Sequence, residues 1–86
     1  MGQLQKLLSA VLAGRSDQNI AFARLVVLLQ ALGFELRVKG SHHIFTKTGV
    51  EDIINLQPNG GLAKPYQVKQ VRQLLLKYKL ELPDAL

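Results

Sequence analysis

The sequence predicts an α+β fold, with helices packed on one face of a small antiparallel sheet. Three observations predict it. Two apolar stripes of helical period precede Gly33, the period switches to two from Phe34, and a last helical stripe follows Pro65.

In the first stripe Leu4, Leu7, Leu8, Val11 and Leu12 recur at helical spacing, an amphipathic helix over residues 3 to 13. That spacing also argues against a secretory leader, whose apolar stretch is uniform. Gly14-Arg15-Ser16-Asp17 turns the chain. Phe22, Leu25, Val26, Leu29 and Leu32 mark a second helix, closed by Gly33 as a left-handed cap. Its opposite side carries Ala23, Val27 and Ala31. This second apolar stripe is expected to lie under the first helix or under a partner.

Phe34, Leu36 and Val38 alternate with Glu35, Arg37 and Lys39, a half-buried strand. Gly40-Ser41 reads as a two-residue type II′ hairpin loop with glycine where φ is positive. The return strand is His42 to Lys47; after Thr48-Gly49 a third strand spans Asp52 to Gln57. Pro58 to Lys64 is read as a loop. Pro65 suits the first position of a last helix, with Val68, Val71, Leu74, Leu75 and Tyr78 buried and Lys69, Arg72, Gln73 and Lys77 in water. Leu76 falls on that wet side, and a tail broken by Pro83 follows Leu80.

The 86 residues suffice for one domain without staples, and the absence of cysteine excludes disulfide scaffolds and thiolate zinc sites. A reducing cytoplasm is the expected setting, and no membrane is expected to be involved: the longest strictly apolar run is Leu25 to Leu29. The net charge of +5 is uneven. Residues 37 to 79 hold eight Lys or Arg against Glu51 and Asp52, a net +6. Such a body favours a polyanion or an acidic protein.

Lys39-Gly40-Ser41-His42-His43-Ile44-Phe45 carries the most chemical information, because imidazole both takes and gives a proton near neutrality. RNA cleavage without a metal needs a base for the 2′-hydroxyl, an acid for the leaving oxygen and cations for the phosphorane. Adjacent strand residues face opposite ways, so His42 and His43 do not form a dyad, and one of them should matter more. From the residues alone, the favoured reading is that both are half-exposed, chemically idle hairpin side chains. Neither has the convergent donors of a metal site. Lys39, Lys47, Lys64, Lys69 and Arg72 are the cations that would hold phosphates, Lys64 and Lys69 at the positive end of the last helix. Phe45 shares a face with His43. Were Ile44 core, Phe45 would stack on a base; were Phe45 core, His43 would have to reach its site from the strand end.

The hairpin Gly40-Ser41-His42-His43-Ile44-Phe45, preceded by Leu32-Gly33-Phe34 and followed by Leu75-Leu76-Lys77-Tyr78, resembles the HicA toxins of bacterial toxin–antitoxin pairs. The resemblance covers residues 20 to 80 of a single domain, with 3 to 13 as an added helix and 81 to 86 as a tail. It implies an α-β-β-β-α core like the double-stranded-RNA-binding domain and a cofactor-free endoribonuclease acting on mRNA. In the family's Gly-Ser-x-His pattern the catalytic histidine falls on His43. Ser41, His42 and the five cations would contact RNA, and an acidic HicB-type antitoxin would silence the chain; homo-oligomerisation is left open. A non-catalytic RNA-binding module and a protein-interaction domain are the alternatives. After the third strand the chain reads Leu56-Gln57-Pro58-Asn59, where many relatives carry a basic, histidine-containing stretch.

Overall fold

The computed structural model describes residues 2 to 83; Met1 and the end of the expected tail, residues 84 to 86, lie outside the described residues. Helix α1 (Gln3–Ala13) is followed by a 3-10 turn (Asp17–Asn19), α2 (Phe22–Ala31), strands β1 (Glu35–Lys39), β2 (His42–Lys47) and β3 (Val50–Leu56), a small hairpin of β4 (Pro58–Asn59) and β5 (Leu62–Ala63), and α3 (Pro65–Lys77). The α-β-β-β-α core is therefore present, with α1 added before it.

The main sheet is antiparallel in the order β1-β2-β3. Leu36 pairs with Phe45 and Phe45 with Ile54, so these side chains share the face turned to the helices. Phe45, Leu56, Leu25, Leu29, Val68 and Val71 have no exposed surface and form the middle of one core. Base stacking by Phe45 is thereby ruled out in favour of the strand-end placement of His43.

Two elements differ from the sequence reading. The stretch after β3 is an ordered hairpin, because Gly60 and Gly61 both adopt positive φ and let Pro58 pair with Ala63. It is tied to the helices by Ala63 N–H to the Ile20 carbonyl (2.8 Å) and Phe22 N–H to the Gly61 carbonyl (3.0 Å). The third strand starts two residues early, at Val50, because the Thr48-Gly49 turn is tight enough for Val50 to pair with Lys47.

Helix α1 buries Leu7, Leu8 and Val11 in the same core. It does not cover the Ala23 stripe. It lies along the Arg24 flank of α2, where Arg24 Nη2 donates to the Gln3 carbonyl (3.4 Å), and it leaves Ala23 exposed and Val27 half exposed. Small side chains at 23 and 31 give too little apolar area to compete with the leucines for that contact.

Candidate active site and adjoining amide groove

Gly40 and Ser41 close the β1–β2 loop with Lys39 opposite His42. Of the two loop residues only Gly40 has positive φ (+62°), the type II′ turn that the sequence predicts. This turn fixes the start of β2 and with it the direction of both histidines.

His43 points to the helix side, one residue pair beyond Phe45. Its ring meets the first residue of α2, Phe22, edge to face, with ring centres 4.8 Å apart and planes at 79°. Its Nδ1 lies 3.3 Å from the Ser41 carbonyl oxygen. A carbonyl only accepts, so Nδ1 carries the proton and the neutral ring keeps its lone pair on Nε2. Nε2 has no hydrogen bond among the described residues, and no buried side-chain nitrogen or oxygen lacks a partner there, so this lone pair faces solvent.

His42 points to the open face of the sheet and is held at both nitrogens. The Gln57 amide donates to Nε2 (3.3 Å) and to Ser41 Oγ (3.2 Å); His42 Nδ1 then donates to Asn55 Oδ1 (3.2 Å). Gln57 N–H in turn donates to Oε1 of buried Gln67 on α3 (3.4 Å). Sequence reasoning missed Asn55, Gln57 and Gln67. Amides carry no motif, and the only available signal was a glutamine, Gln67, next to the buried Val68.

Lys39, Ser41, His42 and His43 are brought together at this hairpin. Lys64 stands in the turn that opens α3, the same turn whose Gln67 reaches Gln57. Both α2, through Phe22, and α3, through Gln67, begin at this end of the molecule, so two positive helix ends add to these cations. Lys69 is exposed on the flank of α3 shared with Leu76, which is 59% exposed.

Two cations lie elsewhere. Lys47 sits at the far end of β2, its ammonium so close over Gly33 that a Cβ there would lie 2.5 Å from Nζ, and it faces the negative end of α2. Arg72 is not a solvated side chain of α3. It forks onto Asp17 (2.9 and 3.1 Å) and donates to the Val11 carbonyl (3.1 Å), tying α3 to the end of α1. The helical wheel placed Arg72 in water because it carries no knowledge of where residues 11 to 17 fold.

Among the described residues no three His, Cys, Asp or Glu side chains gather as a metal site, and no helix is long and apolar enough to cross a membrane. No curated protein and no solved structure matches the chain. The family described as HicA toxin of bacterial toxin-antitoxin matches residues 22–78, from the phenylalanine that backs His43 to the end of α3. With two thirds of its length matched and the α-β-β-β-α core in place, the chain belongs to the HicA toxin family, the toxins of bacterial toxin–antitoxin pairs.

Proposed function

We propose that this toxin is a metal-independent endoribonuclease acting on mRNA, with His43 as its general base. The observation that carries the reading is the contrast between the two imidazoles: His42 is tied at both nitrogens, whereas His43 is oriented through Nδ1 and keeps Nε2 open to solvent. Nε2 takes the proton of a ribose 2′-hydroxyl, and the oxygen forms a bond to the neighbouring phosphorus. The bond from phosphorus to the 5′-oxygen breaks, that oxygen takes a proton from solvent water, and the His43 imidazolium returns its proton to solvent. The products are a 2′,3′-cyclic phosphate and a 5′-hydroxyl. Lys39, at the hairpin opposite His42, and Lys64, in the turn that opens α3, are the cations that offset the phosphorane charge in this reading. Ser41 positions His43 through its carbonyl, and Lys69 extends the phosphate grip along α3; Lys47 and Arg72 stand too far from the hairpin, or too fully engaged, to share in it.

Silencing follows from the same surface. An acidic HicB-type antitoxin that covers the hairpin and the Lys69–Leu76 flank of α3 matches lysines with carboxylates and Leu76 with an apolar contact.

Incubation of an unstructured RNA with wild type, His43→Ala and His42→Ala at matched folded fraction, with and without chelator, tests the reading. Cleavage by wild type in chelator, partial activity in the His42 variant and none in the His43 variant are expected. A 2′-deoxy strand is bound and left intact. Equal cleavage by wild type and the His43 variant, or a strict metal requirement, overturns the mechanism; binding without any cleavage favours the RNA-binding module.

A further inference from the structure

A groove runs from the His42 side of the hairpin along the outer margin of β3, walled on its other side by α3. Two adjoining hollows of about 380 and 410 Å³ make it up, with Ile53 and Gln70 lining both. Its character differs from the rest of this basic surface. Asn55 and Gln57 line it from the sheet, Gln70 and Gln73 from α3, and Tyr66, 58% exposed, stands at the end nearest the hairpin. The charges at the far end cancel: Lys77 Nζ pairs with Asp52 at 3.2 Å, and that pairing raises the ammonium above its ordinary value.

The chemistry of the walls selects the occupant. Phosphate wants an unpaired cation, and Lys77, the lysine that lines the groove, is already paired with Asp52. A peptide strand adding to β3 would need its outer backbone groups, but Glu51 N–H is taken by the Tyr78 hydroxyl (3.3 Å) and Gln57 N–H by Gln67. Side-chain amides beside an exposed aromatic ring match a nucleobase instead, since each carboxamide offers a donor and an acceptor in one plane and the ring offers a stacking face.

We infer that this groove is a base-recognition subsite, in which Tyr66 stacks on an unpaired nucleobase of the RNA and Gln70 and Asn55 read its edge, with adenine the complement of a side-chain carboxamide. The inference rests on the reading of the chain as an RNA-cleaving toxin and supplies what that reading lacks, a source of sequence preference. Gln57 joins the two regions, because its one amide touches both Ser41 and His42. A base held in the groove therefore anchors the strand directly beside the hairpin that carries His43, while phosphates follow Lys39 and Lys64 along the rim.

The test is equilibrium binding of short 2′-O-methyl oligonucleotides of A, C, G and U, which cannot be cut, to the full chain and its Tyr66→Ala, Tyr66→Phe and Gln70→Leu variants over a range of salt. The A oligomer is expected to bind tightest. Tyr66→Ala lowers its affinity about tenfold or more, and Tyr66→Phe restores it. Gln70→Leu erases the preference for A. None of the three changes the slope of affinity against salt, which reports phosphate contacts alone. Unchanged affinity and preference in Tyr66→Ala and Gln70→Leu, or losses that appear only as a shallower salt slope, overturn the subsite. Binding is scored without cleavage, so the subsite can stand where the nuclease fails, and the nuclease where the subsite fails.

Discussion

Arg72 and Asp17 face each other as a two-pronged pair, Nη1 to Oδ1 at 2.9 Å and Nη2 to Oδ2 at 3.1 Å, with both side chains largely withdrawn from water. The third bond, to the Val11 carbonyl, satisfies an end group of α1 that has no partner within its own helix. Arg72→Ala is expected to lower stability by about 1–3 kcal/mol, measured by urea unfolding. Arg72→Lys should not restore it, because an ammonium cannot make the fork. RNA affinity and its salt slope should stay at the wild-type value in both, whereas Lys39→Ala and Lys64→Ala make the slope shallower.

The pH dependence of that pair has a defined sign. Asp17 raises the Arg72 guanidinium above its ordinary value, chiefly by hydrogen bonding, with burial acting in the other direction. A base raised on folding contributes stability that is whole below its unfolded value and fades only as pH climbs through the folded one. For arginine that window lies beyond ordinary working conditions. The stability difference between wild type and Arg72→Ala should therefore be flat from neutral to moderately alkaline pH, as thermal melts would show.

Helix α1 lies outside the matched residues 22–78 yet shares the core. Leu8→Ala should cost about 2–4 kcal/mol in unfolding free energy. Val27→Ser, on the α2 stripe that α1 leaves uncovered, should fall within about 0.5 kcal/mol of wild type. Near-neutrality at Leu8 would mean that α1 is an appendage.

Phe22 holds the imidazole of His43 edge-on, and its own N–H is held by Gly61. Phe22→Leu keeps apolar volume but removes that ring edge. At matched folded fraction the turnover of RNA should drop about tenfold with little change in KM, since a misplaced base affects the chemical step more than binding. An unchanged kcat would show that the ring does not position His43.

Gly33 combines a φ of +102° with the Lys47 ammonium overhead. Gly33→Ala should cost about 1–2 kcal/mol, and in a Lys47→Ala background the backbone share, about 1 kcal/mol, should remain. Equal costs in both backgrounds would place the whole penalty in the backbone.

Periodicity made α1, α2, β1, β2 and α3 legible, because each buries one face and shows it at the spacing of its own geometry. The Gly40-Ser41 turn was legible because only one kind of two-residue loop puts glycine first. What stayed hidden depends on contacts across the fold. Arg72 looked like a phosphate ligand until residues 11 to 17 folded beneath it, whereas the separation of Lys47 from the histidines was already implicit in a return strand that runs from His42 to Lys47 in sequence and structure alike. The rule of alternation correctly separated His42 from His43. Which nitrogen of which ring was left open depended on Asn55 and Gln57, whose amides satisfy one imidazole and leave the other alone.

The two margins of the sheet are unequal. Along β3, Gln67 and Tyr78 reach across from α3 and occupy outward backbone donors at both ends. Along β1 no such cover exists among the described residues, and Val38 stands 55% exposed between Arg37 and Lys39. Growth of the sheet by a further strand, whether from another molecule in a concentrated solution or from a misfolded neighbour, is thus polarised toward β1, where like charges on Arg37 and Lys39 are the guard. Neutralising those two residues would lower the concentration at which the protein stays dispersed, while the same change on the β3 side would leave it unaltered.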